Sequence, residues 1–207
     1  MDKQKTERGQ GTLELALILP VLLILMMGVA EIGFALRNYL VVVNAGREAG
    51  RFAARGRFGD EEIADRALNS GGMVHSDDGD VPFFRATGDD PNAGIIITRI
   101  PMDEDGETDQ VSTWITGVVG LEEEGIRPIL PDDSVISMTQ ITDRHQDTSI
   151  TVNDMRESAG LDPLENQIVV VEVFYLHDTL ILGSFVPLPK PLEMYTRSEM
   201  RMTRGKD

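Results

Sequence analysis

The sequence lacks cysteine altogether and is poor in aromatic residues, which make up 5% of its 207 positions. Without cysteine, the chain can form neither disulfide bonds nor thiolate metal sites. Its three histidines are far apart and do not have the spacing of a zinc site: His75, His145 and His177. The sequence also contains no Gly-x-Ser-x-Gly elbow, phosphate-binding loop or dinucleotide-binding fingerprint. We therefore expect no catalytic residue, no cofactor and no bound metal, and the protein is predicted not to be an enzyme.

Positive charge is scarce in the middle of the chain. Between Asp60 and Glu165 there are 25 acidic residues and six arginines, a balance of −19, whereas the whole chain carries −16. Such a surface repels phosphate backbones, so nucleic acid is not an expected partner. The acidic stretch is interpreted as a solvated exterior.

Two acidic segments contain the oxygen-bearing residues that calcium prefers. Acids alternate in the first and cluster in the second: Asp103, Asp105, Glu107 and Asp109, then Asp77, Asp78 and Asp80. An EF-hand loop needs glycine at its sixth position and glutamate at its twelfth, and neither segment fits. Both are predicted to be solvated loops.

A long apolar stretch dominates the N-terminal region. No charge occurs from Leu15 to Ala30, and apolar residues continue to Leu36 after the single acid Glu31. Residues 12–36 are numerous enough to cross a hydrocarbon core of about 30 Å as one helix. A proline in its first half, Pro20, predicts a kink or a loosened turn.

The helical pattern continues beyond the apolar stretch. Small residues recur on one face and arginines on another: Ala45, Ala49, Phe52 and Ala53, then Arg47, Arg51 and Arg55. We predict a helix over residues 10–57, ended by Gly56 or Gly59, and a short helix over residues 61–69. The arginines would hold either lipid headgroups or carboxylates of the acidic region.

The remaining sequence predicts a small antiparallel sheet. The β-branched runs 94–100 and 113–119 indicate a hairpin, and residues 167–177 give the strongest strand pattern. Its two faces alternate: Val169, Val171, Val173 and Tyr175 on one, and Ile168, Val170, Glu172 and Phe174 on the other. The proline-marked connection 187–191 precedes a final, half-buried strand at 192–202. Residues 121–166 are interpreted as an acidic insertion with one helix near Val152–Ser158. The predicted fold class is α+β: a long N-terminal helix, transmembrane and then amphipathic, whose alanine face packs on a C-terminal sheet.

Glutamate is costly inside a membrane segment, so two acidic residues require an explanation. As part of a plain anchor, Glu14 would reach the membrane interface and Glu31 would mark the end of the span. Alternatively, cleavage after Gly9 would make Gln10 the first residue and Glu14 the fifth. The new α-ammonium and this carboxylate would then pair between neighbouring helices and fix their axial register. In the corresponding interpretation of Glu31, its carboxylate pairs with a basic side chain of a neighbour.

The glycine-to-glutamate spacing resembles the class III leader of type IV pilins and pseudopilins. Further details resemble the TadE-like family of tight-adherence pilus systems. They are a proline soon after the glutamate, a second glutamate that closes the apolar run, and a basic, alanine-rich segment: Pro20, Glu31, Asn44, Ala45, Arg47, Glu48, Ala49 and Arg51. The resemblance is specific over residues 8–56 and weaker over residues 167–202.

This resemblance implies a minor pseudopilin of the cytoplasmic (inner) membrane with a single span. It implies a cytoplasmic leader 1–9, a long helix 10–57 and an exported acidic domain 58–207. The implied partners are a prepilin peptidase, other pilin-like subunits, an inner-membrane secretion platform with its ATPase, and membrane lipid. The expected assembly residues are Glu14, Pro20, Glu31, Arg47, Glu48 and Arg51.

Two other interpretations remain open. Gly28-Val29-Ala30 has the small residues that signal peptidase prefers, so the protein is alternatively a secreted binding protein that begins at Glu31. In the third interpretation an uncleaved leader tethers a binding or sensory domain to the membrane.

Overall fold

The computed structural model describes residues 3–55, 58–76, 79–102, 108, 110–122, 125–160, 164–179 and 191–205. The helices are α1 (Lys3–Ala53), α2 (Asp60–Asn69) and α3 (Met138–Ser158), with a single 3₁₀ turn at Pro131–Asp133. The strands are β1 (Met73–Ser76), β2 (Gly79–Pro82), β3 (Ala93–Met102), β4 (Ser112–Glu122), β5 (Gly125–Pro128), β6 (Leu164–His177) and β7 (Leu192–Gly205).

Helix α1 contains 51 residues and continues through Pro20. It begins at Lys3 rather than at residue 10, because the leader consists largely of good helix formers such as lysine, glutamine, glutamate and arginine. It ends at Ala53 rather than at residue 57. The N–H of Arg55 donates to the carbonyl of Phe52 at 3.1 Å, which tightens the last turn. Of the two glycines predicted to end the helix, Gly56 lies outside the described residues, as does Arg57. The other, Gly59, is the N-cap of α2.

Five strands form one antiparallel sheet in the order β5-β4-β3-β6-β7. The predicted hairpin is confirmed, since β3 pairs with β4 and Gly94 lies opposite Gly117. The central strand β6 pairs with β3 on one side and with β7 on the other, where the register extends from Leu164–Gly205 to His177–Leu192. Most of the predicted proline-marked connection between β6 and β7 lies outside the described residues. The predicted α+β architecture is therefore present.

The alternation predicted for β6 is confirmed by its two buried faces. Val169, Val171 and Val173 pack beneath α1 and α2, together with isoleucines of β3. Residues on the other face of β6, among them Ile168 and Val170, form a second apolar cluster with Ile141 of α3. Each fully buried aliphatic side chain of this size contributes about 1.5–3 kcal/mol relative to exposure. The sheet therefore lies between two helical layers.

Helix α3 corrects the prediction for the acidic insertion. The predicted helix covered only residues 152–158, whereas α3 begins at Met138. The hydroxyl of Ser137 accepts from the N–H of Gln140 at 3.4 Å and caps the helix. Ile141 is fully buried against the sheet. Because the rest of α3 is mainly polar, a helical apolar stripe was not visible in the sequence.

A buried carboxylate fastens the segment before α3 to the sheet. Glu172 is completely buried in β6 and accepts from three donors. Its partners are the Ser134 hydroxyl at 2.5 Å, the Val135 N–H at 2.9 Å and the Tyr195 hydroxyl at 2.9 Å. Burial, together with the Glu172 charge, raises the pKa of Tyr195. Three donors satisfy a charge that would otherwise be costly in the interior.

The hairpin of β1 and β2 was not predicted. Each strand has only four residues, too few to give a period-two pattern. The Asp80 carboxylate lies 3.0 Å from Nδ1 of His75, while Asp77 and Asp78 lie outside the described residues. Helix α2, by contrast, agrees with its prediction to within one residue.

Two glycines of α1 allow its backbone to approach β7. An added Cβ at Gly46 would lie 2.8 Å from Cγ2 of Thr196. At Gly50 it would lie 2.2 Å from Oγ and 3.0 Å from Cβ of Ser198. The Thr196 and Ser198 side chains would have to rotate, and at Gly50 the helix or the strand would also have to yield slightly because the Ser198 Cβ position is fixed by its backbone. The predicted burial of the alanine face is confirmed, since Ala45, Ala49 and Ala53 are at most 2% exposed.

We predict that Gly50→Ala lowers the free energy of unfolding of the domain by about 1–3 kcal/mol through overpacking. Denaturant unfolding followed by fluorescence of Trp114, the single tryptophan, would measure the change, because its side chain packs against the α1-side core. Gly33→Ala in the same helix is the matched control, since an added Cβ there has no neighbour within 4 Å. Equal effects of the two substitutions would contradict the proposed close approach.

Candidate assembly surface on the N-terminal helix

The first half of α1 extends beyond the folded domain and exposes an apolar surface. Twelve large apolar side chains between Leu13 and Val29 are 44–71% exposed. Within Gly11–Ala53, an 18-residue window reaches a mean hydropathy of 2.6, and α1 is long and apolar enough to cross a membrane. A contiguous exposed apolar surface of this size requires a non-aqueous neighbour, either lipid or other apolar helices. Pro20 lies within this surface.

The predicted processing residues lie in the N-terminal turns of α1. Gly9 and Gln10 are helical in their backbone, and the Gln10 side chain lies outside the described part of the chain. Glu14 is exposed on the first apolar turns of the protruding half. Cleavage after Gly9 and a register role of Glu14 therefore stay predictions.

A buried polar cluster marks the point where α1 meets the sheet. Glu31 is 5% exposed, and its Oε1 lies 3.8 Å from Nε2 of His177, the last residue of β6. Asn38, two helical turns after Glu31, has its Nδ2 3.0 Å from Nδ1 of the same imidazole. Because the Asn38 amide donates to Nδ1 of His177, the proton of this imidazole is assigned to Nε2, which faces the Glu31 carboxylate. The cluster therefore attaches one face of α1 to the end of β6.

Sequence reasoning singled out Glu31 but not its neighbour His177. The two residues belong to opposite ends of the chain, and no local pattern relates them. The predicted pairing of Glu31 with a neighbouring subunit stays a prediction, whereas its contact with His177 lies within the chain.

Glu48 joins α1 to α2. Its Oε1 accepts from Arg66 at 3.0 Å from Nε and 2.5 Å from Nη2. This hydrogen bond lowers the pKa of Glu48, and the charges of Arg66, Arg51 and Arg55 act in the same direction. The Arg66 guanidinium also lies 5.9 Å above the ring of Phe52. The predicted assembly residue Glu48 therefore has a structural contact within the chain.

The arginine ridge, defined as Arg47, Arg51 and Arg55, is exposed. Within the described ranges, none of its three guanidinium groups forms a hydrogen bond or an ion pair. The ridge lies on the face of α1 opposite the buried Ala45 and Ala49. Together with the exposed Glu14 and Pro20, Arg47 and Arg51 of the ridge are predicted assembly residues that are accessible to other molecules.

The acidic segments considered for calcium lie largely outside the described residues. This applies to the alternating acids Asp103, Asp105, Glu107 and Asp109. Among the residues that the structure describes, no group of three or more histidine or acidic side chains has the geometry of a metal site.

We predict that Glu31→Ala lowers the free energy of unfolding by about 1–3 kcal/mol. The buried Nε2–H of His177 has no hydrogen-bond partner among the described residues, and it would lose the carboxylate that faces it at 3.8 Å. Trp114 fluorescence during denaturant unfolding of the detergent-solubilised chain would report the loss. Glu14→Ala is the matched control in the same helix, since Glu14 is exposed. A stability that is equal in wild type and Glu31→Ala would show that the cluster does not attach the helix.

Comparison with known families identifies the same helix. Residues 9–51 match the family described as TadE-like protein. No match was found among curated proteins or solved structures. The matched segment includes the exposed apolar half of α1, Glu14, Glu31 and the beginning of the arginine ridge. Residues 9–51 of the N-terminal helix are therefore similar to the TadE-like family.

Proposed function

We propose that this protein is a minor pilin-like subunit that is anchored in the cytoplasmic membrane and takes part in assembly of a tight-adherence type pilus. The observation that carries the proposal is that the family match covers most of α1, a helix with an apolar, exposed first half and a second half packed on the domain. One half of this helix exposes apolar side chains, and the other half is packed on a folded domain. A subunit that is both membrane-anchored and able to pack through its helix requires this division.

The proposed membrane span is consistent with the position of the polar junction. Within the predicted span 12–36, the twenty residues from Leu13 to Ile32 would extend about 30 Å, the thickness of a hydrocarbon core. Glu31 would then lie at the exported edge of the span, where His177 covers it. The leader 1–9 would be cytoplasmic and the acidic domain 58–207 exported. An acidic, exposed surface on that domain suits an aqueous compartment.

In the proposed mechanism, a prepilin peptidase cleaves after Gly9 and releases the α-ammonium group of Gln10. Within a bundle of apolar helices, this charge and the Glu14 carboxylate of a neighbour would compensate each other. Either charge alone would be costly there, so subunits shifted along their axes are disfavoured. Other pilin-like subunits, a secretion platform with its ATPase, and surrounding lipid complete the proposed set of partners.

The N-terminus of the mature protein tests the proposal. We expect Gln10, measured by mass spectrometry of protein purified from membranes. Gly9→Leu should abolish processing because a bulky side chain replaces the hydrogen atom beside the cleaved bond. Gly11→Leu is the matched control, since an added Cβ at Gly11 meets nothing within 4 Å.

Two other N-termini would contradict the proposal. A mature protein that begins at Glu31 would be a secreted protein. Glu31 is the first described residue of α1 that is buried, so cleavage before it would keep all the described buried residues of α1 in the domain. An intact leader would identify a tethered domain.

The register role of Glu14 has its own test. We predict that Glu14→Ala leaves processing intact but lowers incorporation into pili by about tenfold or more, equivalent to at least about 1.4 kcal/mol. The amount of subunit in sheared pili relative to membranes would measure it. Glu7→Ala in the leader is the matched control. Normal incorporation of a processed Glu14→Ala subunit would refute the role.

A further inference from the structure

The arginine ridge has a regular geometry that faces away from the sheet. Arg47 and Arg51 are four residues apart, so their side chains emerge about 6 Å from each other on one face of α1. Both are exposed, whereas Ala45 and Ala49 on the opposite face are fully buried. Arg47 and Arg51 of the ridge therefore offer two parallel positive groups to another molecule.

Helix α2 presents a pair of carboxylates with the same spacing. Glu61 and Asp65 are both exposed and are also four residues apart. They lie away from the side of α2 that is buried through Ile63, Ala64 and Ala67. Because the two carboxylates have the same spacing as Arg47 and Arg51, each carboxylate can form an ion pair with one of these arginines.

Within one chain the two pairs do not meet. The described residues show no ion pair from Arg47 or Arg51, and none from Glu61 or Asp65. The nearby charged groups already have partners, since Arg66 binds Glu48 and Arg99 binds Asp60. The two complementary surfaces therefore remain available on the same molecule.

We propose that Arg47 and Arg51 of one copy bind Glu61 and Asp65 of a second copy in a head-to-tail contact. The contact joins two different surfaces of the molecule. When two copies are bound, one still has a free ridge and the other a free acidic pair, so further copies can add at either end and form an open chain. The partner surface belongs to the acidic region that carries a balance of −19. Like-charged domains repel each other, and the ridge supplies the opposite charge at the contact.

The height of the ridge argues against lipid as its partner, given the proposed membrane span. Arg47 lies 15 residues beyond Ile32, or about 22 Å along the helix axis. A tilt of 40° still leaves about 17 Å. The headgroup layer is only about 5–8 Å thick on each side of the hydrocarbon core. Arg37 lies at headgroup level, but the ridge lies beside the domains.

A charge-swap experiment on the full chain in detergent tests the contact. One variant carries Arg47→Glu with Arg51→Glu, and the other carries Glu61→Arg with Asp65→Arg. Differently tagged copies are co-purified at low and high salt. We expect each variant alone to self-associate about tenfold more weakly than wild type, and the mixture of both variants to recover. Recovery is expected because every contact in the mixed series again joins opposite charges.

Two controls separate this contact from general charge effects. Arg37→Glu makes the same type of change nearer the membrane and should leave association unchanged. Arg47→Lys with Arg51→Lys keeps the charge and should retain most of the association. Circular dichroism and Trp114 fluorescence establish that each variant is folded.

Several outcomes would overturn the proposal. They are association that is insensitive to the ridge variant, a mixture that does not recover, or an equal loss in Arg37→Glu. A fourth is flotation with vesicles of anionic lipid that weakens in the ridge variant while self-association persists, which would identify a lipid site. The proposed function fails separately, through the mature N-terminus, because association in detergent requires neither cleavage nor a pilus.

Discussion

The structure depends on the burial of one small-residue face of α1 against β6 and β7. Ala45, Ala49 and Ala53 occupy little volume, and Gly46 and Gly50 have no side chain, so helix and strands approach closely. This contact covers the apolar side of the sheet on which β6 presents its valines. It also fixes which sides of the helix remain outside the domain. The exposed apolar half, the polar junction and the arginine ridge are consequences of that orientation.

The features of the fold that depend on residues close together in the sequence were predictable from it. Runs of β-branched residues identified β3, β4 and β6, and alternation along β6 assigned its two faces correctly. The small-residue stripe identified the buried face of α1 because side chains four residues apart share one side of a helix. The leader motif is also local, since Gly9 and Glu14 lie within two turns.

Features that depend on distant residues were not predictable in this way. Most of α3 was missed because its sequence is mainly polar, although the described side chain of Ile141 is fully buried. The contact of Glu31 with His177 joins a residue of the first helix to the end of β6. The three donors of Glu172 come from a loop and from a neighbouring strand. In each case the partner is determined by the tertiary fold, and periodicity carries no information about it.

The unbroken course of α1 has a mechanical consequence. No loop separates its apolar half from the half that is packed on the sheet. Where the helix enters the domain, Asn38 donates to His177, and Glu31 lies 3.8 Å from the same imidazole. Force applied to the domain is therefore transmitted along a stiff rod rather than absorbed by a linker. Each residue withdrawn from a bilayer would raise the domain by only about 1.5 Å. In the proposed pilin-like role, the protein would therefore leave the membrane in small, graded steps.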